Sequence, residues 1–349
     1  MNKILKFIQK ERLYILLLIF IILLNVLLMM PLEVKGKGRI VKEKITVSKI
    51  NEGLLVNRSE VEKIFYQKKH LYLLFSMTSL LMMAILFLGI TMDILLVSSA
   101  LSGKRLRIAT YKIGAVKWNA WDVAKVVILF LFFGYMTIII ESALARTLPF
   151  LNNDNFRTVI NTTLMDTLAV VFILYFTIGE YKERLISLGI SFRNFFKNVF
   201  YGITGYIATI PILVLVLIIV FTIANLVKYV PERQPIVDIF LKEKNASFLM
   251  YTSLFAAFFG PLIEELFFRG FMYNALKRYI GIFWSALLTA SVFAALHTNI
   301  VGFFPIMVLG LLLVYLYEKT GTLVSSITVH IIHNFAMVGF VFLMKELHI

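Results

Sequence analysis

The sequence predicts an all-α fold, a polytopic transmembrane helix bundle with about nine spans. Two observations carry this. Hydrophobic residues make up 60% of the 349 and charged residues only 16%, far from the soluble balance of about half apolar and a quarter charged. The apolar residues also fall into long runs separated by short charged clusters, and a bilayer core of roughly 30 Å takes about 20 apolar residues of helix to cross.

The first run, Leu13 to Met30, follows Lys3, Lys6, Lys10 and Arg12. No small-residue cleavage site follows it, only Pro31, Leu32 and Glu33, so it reads as a retained span. Further spans are expected near Leu71 to Val97, Val126 to Ala145, Thr162 to Gly179, Val199 to Val227, Phe248 to Phe268, Ile282 to His297, Phe303 to Tyr317 and Leu323 to Met344. The stretch 31–70 is the one sizeable polar segment. Its alternating run Ile40, Lys42, Lys44, Thr46, Ser48 suggests a small hairpin. The polar cluster Asn152 to Asn155 divides the chain into an N-terminal membrane region, 1–160, with three spans, and a six-span remainder, 161–349.

The formal net charge is +15. The basic residues sit beside the spans, which points to topology and anionic lipid headgroups. No basic patch interleaved with aromatics stands apart from a span, so nucleic acid is not an expected partner. If the spans alternate, the N-terminus, Lys104 to Lys117, Lys182 to Lys197 and Arg269 to Arg278 share one side. That side is read as cytoplasmic in a multi-pass protein of the cell membrane. The absence of Cys excludes disulfides, thiolate zinc sites and a cysteine nucleophile.

Ionisable residues inside spans are costly and are functional candidates by default. Gly260 to Gly270 places Glu264, Glu265 and Arg269 in an apolar helix. Glu265 and Arg269 have the i,i+4 spacing of an intrahelical ion pair. Glu264 points about 100° away and is the carboxylate left for chemistry. Of five His in the chain, His297, His330 and His333 lie in the last three spans. With a turn at Gly281, Glu264 lies 17 residues before it and His297 lies 16 after it. In antiparallel helices both then reach about 25 Å from the turn. His330 and Asn334, four apart, share a face at a similar level.

This pattern suggests hydrolysis by an activated water. Glu264 would act as general base, with His330 and Asn334 as donors to the developing oxyanion. Alternatively, Glu264, His297 and His330 bind Zn²⁺, which activates the water itself, although the helical His-Glu-x-x-His pattern is absent.

These residues resemble the three motifs of the CPBP family, the CAAX prenyl proteases and bacteriocin-processing (Abi) membrane proteins. Glu264, Glu265 and Arg269 match its Glu-Glu pair followed by Arg, Phe293 and His297 its Phe-x-x-x-His, and His330 and Asn334 its His-x-x-x-Asn. The resemblance runs from about Thr162 to Met344, with Gly189 and the Pro231 to Pro235 loop as further shared features. It implies an intramembrane endopeptidase acting on a peptide or membrane protein. Glu264, His297, His330 and Asn334 would be catalytic, with Glu265 and Arg269 in support and His333 in packing. Two other classes compete. A non-catalytic membrane partner or bacteriocin-immunity factor keeps the helices for binding, and a proton-coupled transporter uses the same Glu and His as a relay. Against transport, no symmetric pair of interrupted helices appears.

Overall fold

The computed structural model describes residues 3–29, 65–103, 114–229, 235–297 and 300–347. The expected hairpin at 31–70 and the Pro231 to Pro235 loop fall largely outside these residues. All regular structure among the described residues is helical. The helices are α1 (Lys3–Met29), α2 (Lys69–Leu101), α3 (Ala120–Leu144), α4 (Asp154–Leu174), α5 (Phe195–Leu226) and α6 (Pro235–Lys242). Then come α7 (Ala246–Leu254), α8 (Gly260–Glu265), α9 (Asn274–Ala295), α10 (Ile300–Thr320) and α11 (Val324–Glu346).

Each of the nine apolar runs is largely helical over its described residues, because in hydrocarbon a helix is the structure that satisfies its own backbone. Among the described residues, 7 helical runs are long and apolar enough to cross a membrane. One of these, Ala246–Ala295, is 50 residues long and contains two of the expected spans. It turns back at Gly281, where φ is 74° and ψ is 176°. The reversal is visible in the Phe268 and Phe293 rings, which meet edge-on at 5.2 Å although they are 25 residues apart. A straight helix would hold them more than 35 Å apart, at about 1.5 Å per residue. The other difference from nine is α1, which is helical but stands outside the seven.

The chain divides into two compact units, Met1–Met82 with Phe342–Ile349, and Met83–Val341. The first contains α1 and a Lys68–Glu346 ion pair at 3.6 Å. The second holds every candidate site residue. Within it α9 packs on α10 and α10 on α5, around Leu213, Leu309, Leu313, Leu316 and Val329. Small residues bring the backbones close, as membrane helices require where apolar burial drives little association. A Cβ on Gly202 would lie 2.7 Å from the Ser325 carbonyl, and one on Gly310 would lie 3.1 Å from Ala290 Cβ.

At one end of this unit the segment before α3 docks onto the run that leaves α8. The Trp118 indole is fully buried, stacks on Phe271 at 5.3 Å and donates to the Phe271 carbonyl at 2.9 Å. Arg278 donates to Val116 O at 3.1 Å, and Lys117 to Tyr181 O at 3.3 Å. At α3 itself, Asn119 accepts from Trp121 N while Asp122 accepts from Asn119 N, a reciprocal cap that starts the helix.

Candidate active site

The run that carries the two acids is not a uniform α-helix. Phe255–Phe259 and Leu266–Tyr273 are π-helical and flank α8 on both sides. The widened i→i+5 turn is rare and recurs at functional sites. Here it has a visible use, since the Asn334 amide donates to the Ala256 carbonyl inside the first π segment at 2.8 Å.

Glu265 and Arg269 form the ion pair expected from their spacing, Oε1 to Nη1 at 2.7 Å with both side chains 0% exposed. Arg269 is further fixed by the Gly310 carbonyl at 3.3 Å and by the Phe293 ring, 4.6 Å from its guanidinium carbon. Glu265 Oε1 also accepts from His330 Nδ1 at 2.9 Å. It therefore joins two helices that are 65 residues apart in sequence, a role that the sequence reading did not foresee.

This bond aims His330. With Nδ1–H donating to a carboxylate, Nε2 faces the other way, and it lies 3.6 Å from Glu264 Oε2. Glu264 keeps 38% of its side-chain surface exposed, while Oε2 itself is buried without a protein hydrogen bond among the described residues. At 3.6 Å the two atoms stand just beyond direct hydrogen-bond reach.

His297 sits at the end of α9, and its Nδ1 meets the Phe293 carbonyl at 2.8 Å. A carbonyl can only accept, so Nδ1 carries the proton and Nε2 the lone pair. The Phe293 ring, 1% exposed, touches His297 at 4.9 Å and His330 at 5.5 Å between centroids. The aromatic of the second motif is thus the spacer between the two imidazoles.

Two neighbours were not singled out from sequence. Asp166 lies on α4, which packs on α8, close enough to Glu264 for the carboxylates to interact. An acid inside the apolar run Thr162 to Gly179 was the available signal. Tyr206 on α5 meets His333 Nδ1 at 2.9 Å, and nothing in the pattern around Tyr206 marks it. His333 itself lies within electrostatic range of both His330 and His297.

His330 and His297 each give Nδ1 to a protein acceptor, which leaves Nε2 as the nitrogen that could hold a metal, but among the described residues no three His, Asp or Glu side chains are grouped to hold a metal ion. No step below runs through a metal.

Residues 246–336 match a family model described as type II CAAX prenyl endopeptidase, Rce1-like. That stretch is similar to the Rce1-like family. This agrees with the family resemblance drawn from the three motifs, and the matched stretch contains every motif residue from Glu264 to Asn334. No curated protein and no solved structure gives a match to the chain. The Rce1-like stretch takes in α7 to α10 and most of α11, so the Trp118 and Tyr206 contacts reach it from outside.

Proposed function

We propose that this multi-pass membrane protein is an intramembrane endopeptidase that hydrolyses a peptide bond with a water activated by Glu264. The observation that carries the reading is the buried Glu264 Oε2, lacking a protein hydrogen bond and 3.6 Å from an imidazole nitrogen that Glu265 holds in place. A buried acceptor of this kind is where a water binds. Glu264 takes a proton from that water, and the water oxygen attacks the carbonyl carbon. The proton then passes to the leaving nitrogen as the C–N bond breaks, giving a carboxylate and an amine.

Negative charge develops on the carbonyl oxygen during attack. Asn334 has one amide N–H committed to Ala256 O and a second left for that oxygen. His330 donates through Nε2 only as an imidazolium, because Nδ1–H is already given to Glu265. His297, turned by the Phe293 carbonyl and packed on the same ring as His330, stands beside the reacting groups. Glu265 and Arg269 keep His330, α9 and α10 in register.

The description of the matched family, a type II CAAX prenyl endopeptidase, supports a substrate class. We assign the same class here, a peptide segment presented from the bilayer. The test uses the full chain in liposomes with a quenched fluorescent peptide ending in a prenylated CAAX sequence and its unprenylated counterpart. Cleavage of the prenylated peptide, located by mass spectrometry to one bond, is the expected result. Intact peptides under all conditions, with a bound-peptide signal, would favour the non-catalytic partner instead.

A further inference from the structure

We infer that Tyr206 is a positioning residue for His333, and that His333 so held supplies a neutral N–H donor to the reacting carbonyl. The inference rests on the hydrolase reading above and adds two residues to it. Its starting point is the difference among three imidazoles that share one region.

Tyr206 does not stand on a mobile surface. Its ring packs against the cluster of Leu213, Leu309, Leu313, Leu316 and Val329, which joins α5, α10 and α11. Its hydroxyl is 2.9 Å from His333 Nδ1, with the two rings nearly perpendicular at 87°. The direction of this bond follows from the inventory of donors. A phenol hydrogen needs an acceptor, and Nδ1 is the one it meets. The reverse bond, Nδ1–H to the phenol oxygen, leaves the half-buried O–H without a protein acceptor among the described residues. Tyr206 therefore donates, and neutral His333 carries its own proton on Nε2, the nitrogen turned away from Tyr206.

The other two imidazoles are set the opposite way. His297 gives Nδ1–H to the Phe293 carbonyl and His330 gives Nδ1–H to Glu265. In their neutral forms both present Nε2 as an acceptor. His333 is one residue before Asn334 and lies within electrostatic range of His330 and His297. Peptide hydrolysis needs acceptors for the water protons and donors for the oxyanion in one place. His333 offers the second without first gaining a charge.

The test has a readout that does not depend on turnover. Full-length protein labelled with nitrogen-15 at histidine is reconstituted in bilayers at neutral pH, and His333→Gln assigns the His333 signals. The expected spectrum has a protonated Nε2 and an unprotonated, hydrogen-bonded Nδ1, and Tyr206→Phe shifts the Nδ1 signal toward an unbonded nitrogen. A proton on Nδ1, or no response to Tyr206→Phe, overturns the inference.

Kinetics on the prenylated fluorescent peptide test the consequence. Tyr206→Phe, nearly isosteric, should lower kcat by about tenfold, the scale of one lost hydrogen bond, with KM unchanged. His333→Gln, whose amide keeps an N–H, should retain more kcat than His333→Leu. An unchanged kcat in Tyr206→Phe, or losses that only follow the melting temperature, would contradict it. Should Glu264→Gln cleave as well as the native chain, the hydrolase reading itself falls, while the nitrogen spectrum still decides the tautomer.

Discussion

At the scale of single residues, the feature that decides most is Glu265. Its carboxylate holds Arg269 on its own helix and His330 on α11, and both it and Arg269 are fully buried. Glu265→Gln leaves that guanidinium without a counter-charge, and breaking a buried pair by removing one partner costs about 3–5 kcal/mol. The expected result is a large drop in melting temperature in detergent together with lost activity. An unchanged melting temperature would show that the pair does not hold the site together. The i,i+4 spacing made the Glu265–Arg269 bond legible in the sequence. The bond to His330 was not, because it depends on how two helices 65 residues apart are rotated.

At the scale of elements, the apolar runs were legible because a membrane helix leaves an unbroken stretch of hydrophobic residues. The reversal at Gly281 was legible from the basic cluster before it. The π turns around α8 were not, since a shift from i→i+4 to i→i+5 bonding is set by tertiary partners such as Asn334 and leaves no period in the sequence. The docking of Trp118 on Phe271 was equally hidden, as the two are 153 residues apart. It gives the N-terminal part of the chain a role, holding the π segment that follows Glu265 and Arg269. Trp118→Phe keeps a stacking ring and deletes the indole donor, leaving the Phe271 carbonyl short of one partner. A net loss of about 0.5–1.5 kcal/mol is expected, read as a modest fall in melting temperature. A fall as large as that of Glu265→Gln would mean that shape, not this bond, fixes the segment.

At the scale of the whole molecule, the two acids, two imidazoles and one amide of the three motifs lie within a single unit. The basic loops also gather. Val116, Lys117, Tyr181, Glu183 and Arg278 meet at one end of that unit, as expected if their loops share one side of the membrane. We propose that this side is the cytoplasm, from the Lys and Arg excess. The chain has no native Cys, so single cysteines at Ser48 and Ser102 report cleanly. An impermeant thiol reagent applied to intact cells should label Ser48→Cys, and should reach Ser102→Cys only after permeabilisation. The inverse pattern would turn the molecule over.

The central claim is that Glu264 is the base, and it is tested most directly by Glu264→Gln. The substitution deletes one basic oxygen at nearly constant volume, at a residue that is half-exposed and outside the Glu265–Arg269 pair. In liposomes with the prenylated fluorescent peptide, kcat/KM should fall by about 10²–10⁴-fold, with the melting temperature unchanged. Native-like cleavage by the folded Glu264→Gln protein would contradict the account.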